Sequence, residues 1–226
     1  MINTELNKTV EDALTNSYKD FYSQPYKDHY RKKEAKRKVA GNVVHRYNHG
    51  LAHAVRKAYY IPFIVDYFER HGNDHLVAQL NTLFEEQGKE QVIAKLQIVM
   101  AFEIAGRESE CGSRDNLTIY NQYLQNSKDA FKNYCQEQDL VGQGKLFSTD
   151  AELESYAKTI TDKYPNKFLG DDMDVLSAIV DSSHTLDEFR CYWPSRMKEG
   201  LRLLIYIVKT KIVKIYGALQ YFVNKQ

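Results

Sequence analysis

At 226 residues and 43% hydrophobic, the chain is long enough to bury a full core, and its length suits one globular domain with or without an extension. Its 31 Lys+Arg against 30 Asp+Glu leave a formal charge of +1, which excludes a general polyanion binder and makes nucleic acid an unexpected partner. Three cysteines, Cys111, Cys135 and Cys191, stand far apart with no CxxC pair, so neither a disulfide framework nor a structural zinc site is indicated.

Four prolines and eleven glycines punctuate the whole chain, and apolar residues recur at i, i+3 and i+4 far more than they alternate. An all-α fold follows. The N-terminus, MINTELNKTVEDALTN, is polar and acidic, unlike a signal peptide, and no apolar run is long enough to span a membrane. Residues 27–38, KDHYRKKEAKRK, carry seven Lys or Arg and read as a solvated helix face or arm. Tyr18, Phe21, Tyr22, Tyr26 and Tyr30 are spaced to pack that arm onto the body, so 1–40 is expected to be a basic helical extension and 41–226 the helical domain proper.

Within the domain, Ile61, Ile64, Val65 and Phe68 form one apolar stripe, and Leu76, Leu80, Leu83 and Phe84 a second. A third runs through Val92, Leu96, Val99 and Met100 and reaches Glu103, so a carboxylate continues an apolar face. Breaks are expected at Gly72-Asn73-Asp74, Gly112 to Asn116, Gly142-Gln143-Gly144 and Tyr164-Pro165-Asn166. The last stripe, Leu201 to Phe222, predicts a C-terminal helix packed on the domain, with a membrane-surface helix or a dimer contact as the other uses of such a pattern.

Three segments are chemically loaded. In YNHGLAHAVR, His49, His53 and Arg56 fall at i, i+4 and i+7 and share one helix face. AGRESE, at the end of the third stripe, holds Arg107, Glu108 and Glu110. SSHTLDEFRC places His184, Asp187 and Arg190 within two helical turns. Histidine can attack, accept or donate a proton near neutral pH, and arginine offers a permanent planar fork for phosphate oxygens. These are the parts that metal-free phosphoryl or phosphodiester transfer needs. The HxxxH spacing is also half of a zinc site, but the chain has no HExxH and no His-Asp dipeptide, and the neighbouring arginines would repel a cation. His29, His71 and His75 read as surface residues.

The stretches YNHGLAHAVRKAYYIPFIVDYFE, GRESE and SSHTLDEFRCYWPSRM, in that order, resemble the phosphodiesterase domain of the SidE-type effectors of Legionella and their stand-alone deubiquitinase relatives. The resemblance covers about residues 42–200 and implies a mostly helical domain with a central active-site cleft, no metal and no cofactor. It also implies cleavage of the pyrophosphate of ADP-ribosylated ubiquitin, followed by transfer of phosphoribosyl-ubiquitin to a serine, or hydrolysis of that serine linkage. Modified ubiquitin and an ADP-ribose-type nucleotide would be its partners, and the host-cell cytoplasm its place of action after secretion. By motif, His49 corresponds to the nucleophile that forms a phosphohistidine, Glu108 to the glutamate that holds it, and His184 to the general acid and then base. His53, Arg56, Arg107 and Arg190 would line the phosphate, with Asp187 and Glu110 in support. The family also has a histidine near its glutamate, whereas none stands between His75 and His184 here. Two alternatives therefore remain open: a degenerate, non-catalytic effector module binding protein or nucleotide, and a metal-dependent helical phosphohydrolase.

Overall fold

The computed structural model describes residues 4–22, 36–39, 42–45, 51–107, 117–162 and 174–192. The Gly112 to Asn116 and Tyr164-Pro165-Asn166 breaks and the C-terminal stripe lie outside these residues.

The chain starts as helix α1, Thr4–Asn16, because TELNKTVEDALTN sets Leu6, Val10, Ala13 and Leu14 along one face. That face is buried in the main core. One π-helical turn, Ser17–Phe21, follows and swings the aromatic side chains inward. Tyr22 is buried and donates its hydroxyl hydrogen to the Ala101 carbonyl at 2.9 Å, while Phe21 meets Phe102 and Tyr134 edge-on. The expected aromatic packing of this segment is thus present at Tyr18, Phe21 and Tyr22, and Tyr26 and Tyr30 lie outside the described residues.

Part of the basic segment is strand instead of helix. Strand β1, Lys36–Val39, pairs antiparallel with β2, Asn42–His45, in the register Lys36↔His45 to Val39↔Asn42. The other regular elements of the described structure are helices, and the class is all-α.

Helix α2, Leu51–His71, runs through Pro62 without ending. A proline inside a helix has no N–H for the carbonyl four residues back, here that of Ala58. The side-chain amide of Gln97 donates to the Ala58 oxygen at 3.1 Å and supplies the missing hydrogen. Of the expected stripe on this helix, Ile61, Ile64 and Val65 are buried and Phe68 packs at the edge. Val55, Tyr59 and Phe63 are exposed on the opposite side.

Helix α3, Asp74–Gln87, begins where expected, its start capped by the Asn73 side chain accepting from Leu76 N–H at 2.8 Å. Gly88, at φ +82°, turns the chain directly into α4, Lys89–Phe102, a conformation that any side chain would strain. Helix α4 is buried almost all round and is packed on by α1, α2, α3 and the three helices that follow it. Its one buried cation, Lys95, is held by Glu152 at 2.5 Å and Gln87 at 2.9 Å and sits over the rings of Phe147 and Tyr156. Helices α5, Leu117–Glu137, and α6, Asp150–Thr161, pack on each other, joined through the expected turn at Gly142–Gly144. Helix α7, Val175–Tyr192, lies along α2. This contact between α2 and α7, over the C-terminal end of α4, assembles the site.

Candidate active site

On α2, His53, Arg56 and Lys57 stand at i, i+3 and i+4 and share the face turned to α7. On α7, Ser183, His184 and Asp187 do the same in reverse. Glu103 follows the last turn of α4 and meets both. The two helices are stitched by Asp187, fully buried, which accepts from His53 Nδ1 at 2.5 Å and from Arg56 Nε at 2.6 Å and Nη2 at 2.9 Å. They are stitched again by the Ser183 hydroxyl, which donates to the Lys57 carbonyl at 2.7 Å. Glu103, at 0% exposure, forms an ion pair through Oε2 with the equally buried Lys57 and meets His184 Nδ1 through Oε1 at 3.0 Å. Two carboxylate–imidazole units result, Asp187 with His53 and Glu103 with His184, each carrying its own fixed cation. The imidazole rings meet edge-to-face with centroids 5.4 Å apart.

Asp187 decides the tautomer of His53. A carboxylate only accepts, so His53 presents Nδ1–H to it and keeps the lone pair on Nε2. His184, at 12% exposure, is the member of the pair that reaches the surface, whereas His53 lies behind it at 1%.

Burial, then the Lys57 charge, holds His53 well below the ordinary histidine value of 6.5, against the smaller opposing pull of Asp187. The carboxylate at 2.5 Å pulls the other way, but burial and the Lys57 charge outweigh it and His53 is not made a cation. Below pH 6.5 the unfolded chain binds a proton at this position and the folded chain does not. Stability from His53 is therefore complete above that pH and is lost as pH falls toward the lowered folded value. Between pH 6.5 and 5, wild type should lose stability more steeply than His53→Gln, by up to about 1.4 kcal/mol per pH unit in denaturant titrations. Parallel slopes would show that His53 is charged in the fold.

Among the residues singled out from sequence, His53, Arg56, His184 and Asp187 converge here. Arg107 lies over the ring of Tyr123 at 5.8 Å, and Tyr123 in turn donates to the Glu103 carbonyl at 3.3 Å. The turn before Arg107 presses against α5. A Cβ on Gly106 would sit 2.5 Å from the Ser127 nitrogen, and the Gly106 N–H already bonds to Ser127 Oγ at 2.9 Å. His49, Glu108, Glu110 and the Arg190 side chain lie outside the described residues. His71 and His75 are exposed, as expected.

Sequence reasoning passed over Lys57 and the full weight of Glu103. Both left a signal. A carboxylate on the stripe Val92, Leu96, Val99, Met100 can be buried only with a cation or donors. Lys57, four residues after His53 on the same face, was the cation within reach.

Two imidazoles set beside buried carboxylates, with an arginine and a lysine fixed among them, are groups that acid–base and phosphoryl-transfer chemistry use. The chain belongs to the family described as the SidE phosphodiesterase (PDE) domain, which matches residues 25–216. It is 28% identical over 192 residues, 83% of its length, to the ubiquitinating enzyme SidE of Legionella pneumophila. It is likewise 28% identical over 160 residues to the ubiquitinating/deubiquitinating enzyme SdeA of the same organism. The chain spans only 12% and 10% of the length of these two relatives. Its fold is that of the protein lpg1496, with a TM-score of 0.57 at 20% identity over 84% of this chain and 72% of that one. A second structure, the C-terminal domain of lpg1496 from Legionella pneumophila in complex with nucleotide, gives 0.55 at the same identity and coverage.

Proposed function

We propose that this chain is a metal-independent phosphodiesterase that acts on ADP-ribosylated or phosphoribosyl-linked ubiquitin through a phosphohistidine, as a secreted effector in the host-cell cytoplasm. The observation that carries the proposal is the Lys57–Glu103–His184 array: an imidazole near the surface whose Nδ1 lies 3.0 Å from a buried carboxylate that a buried lysine also holds. The family match, the names of SidE and SdeA, and the nucleotide bound to the lpg1496 domain support the substrate class.

In this scheme a ring nitrogen of His49 attacks phosphorus while the bond to the leaving oxygen breaks, and His184, protonated at the start of the cycle, gives that oxygen its proton. Water or a serine hydroxyl then attacks the phosphohistidine, surrenders its proton to His184, and releases His49 as the P–N bond breaks. Glu108 holds His49, and Arg56, Arg107 and Arg190 take the charge that develops on the phosphoryl oxygens. Arg56 meets Asp187 through Nε and Nη2, so its other edge is the one directed to substrate. His53 acts from behind, as the packing partner of His184.

Metal independence is supported by the way the carboxylates are used. Asp187 is bound by Arg56 and His53, and Glu103 by Lys57 and His184, so a divalent ion would have to displace the protein's own cations from both.

The test is incubation with ADP-ribosylated ubiquitin and with phosphoribosyl-serine-linked ubiquitin, read by mass spectrometry, with and without a strong chelator. Release of AMP or of free phosphoribosyl-ubiquitin, unchanged by chelation, is the expected result. No turnover of either substrate would sink the ubiquitin reading. Loss of activity on chelation, restored by one divalent ion, would point to the metal-dependent phosphohydrolase.

A further inference from the structure

We propose that Lys57 is a positioning residue of this site: its buried ammonium, paired with Glu103, steadies that carboxylate beside His184 Nδ1 and sets how readily His184 gains and gives up a proton.

The geometry is that of a relay in which only the last member reaches substrate. Lys57 and Glu103 are both at 0% exposure, and His184 alone of the three touches the surface. Lys57 is itself fixed at both ends, its ammonium on Glu103 and its backbone carbonyl on Ser183, the residue just before His184. A shift of this lysine therefore moves His184 through the carboxylate and through the backbone of α7 at once.

The charges explain why a lysine is needed there. His184 belongs to a cluster with His53, Arg56 and Lys57 from α2, Glu103 after α4 and Asp187 one turn on in α7. With both histidines neutral, Arg56 and Lys57 balance Asp187 and Glu103. An unbalanced Glu103 would hold a proton on His184 tightly, which suits neither giving a proton to a leaving oxygen nor taking one from water. Lys57 shares the carboxylate and so keeps the histidine exchangeable near neutral pH. The kinetic half of this inference rests on the phosphodiesterase reading, and the electrostatic half does not.

The experiment is an NMR pH titration of His184 in the full chain, without substrate, in wild type, Lys57→Met and Lys57→Met/Glu103→Gln, alongside kcat/KM against pH. Lys57→Met should raise the His184 midpoint by about one pH unit. The alkaline limb of kcat/KM, set by the protonated His184 that the first step needs, should move up with it. The double variant, which removes both charges and guards against a misfolded single variant, should titrate at or below the wild-type midpoint and well below the single variant. If Lys57→Met does not fold, Glu103→Gln takes its place in the comparison, and a midpoint higher in the double variant than in Glu103→Gln supports the assignment. A His184 midpoint that does not move when Lys57 loses its charge, whether in wild type or in the Glu103→Gln background, overturns it and leaves Lys57 a packing residue. A shifted midpoint in a protein without activity on either ubiquitin substrate keeps Lys57 in its role and rejects the proposed reaction instead.

Discussion

Asp187→Leu should lower the unfolding free energy by about 3 kcal/mol, the low end of what breaking a buried ion pair costs. One carboxylate at 0% exposure accepts from His53 and twice from Arg56, so a single substitution removes all three hydrogen bonds between α2 and α7 at that point. The low end is the right one because Arg56, at 26% exposure, can turn part of its charge back to water. His53, at 1%, has no such escape. In a domain of this size the loss corresponds to a fall in Tm of roughly 6–12 °C, measurable by calorimetry. Asp187→Asn, which keeps an acceptor and the shape, should lose less. A change below about 0.5 kcal/mol in Asp187→Leu would mean that the pair contributes nothing net and that α2 and α7 are held by apolar packing alone.

That coupling marks the boundary between what the amino-acid sequence discloses and what it does not. Spacing within one helix was readable: His53 with Arg56 and His184 with Asp187 each followed from i, i+3 periodicity, and both pairs lie in the site. The three apolar stripes also reappear in the core, and the stripe on α2 continues across Pro62 because Gln97 makes up the missing hydrogen bond. That His53 would meet Asp187, 134 positions away, was not readable, since periodicity says which residues share a face and nothing about which faces meet.

Glu103 shows the same limit from another side. It stood on an apolar stripe, and attention went to the charged GRESE segment after it, because charge in a turn looks functional while charge in a stripe looks like an interruption. Desolvation argues the other way: a buried carboxylate survives only where the fold supplies its partners, so the interruption was the stronger signal. The hairpin of Lys36–Val39 and Asn42–His45 was missed because KRKV and NVVH are too short to show a period, and the basic run around the first of them resembled a solvated helix.

His184→Ala should slow hydrolysis of the phosphoribosyl-serine linkage by about 10²–10⁴-fold while slowing the first-turnover burst of AMP from ADP-ribosylated ubiquitin far less. The difference lies in the leaving groups. Serine departs as an alkoxide, a strong base that must be protonated as the bond breaks, and the Nε2 of His184 is the assigned source of that proton. AMP departs as a phosphate, already a good leaving group, so the first step with that substrate needs little acid help. The second step does need a base to take the proton from water, and without His184 it stalls. In His184→Ala, ADP-ribosylated ubiquitin should therefore load His49 as a stable phosphohistidine adduct, visible by mass spectrometry under alkaline conditions, whereas the serine-linked substrate should load it barely at all. His49→Ala should form no adduct and turn over neither substrate, yet unfold at the wild-type temperature. Equal slowing of the first turnover of both substrates in His184→Ala would show that this histidine positions the phosphate and does not move a proton. An adduct that forms in His49→Ala would assign the nucleophile elsewhere, with His53 the next imidazole in line beside His184.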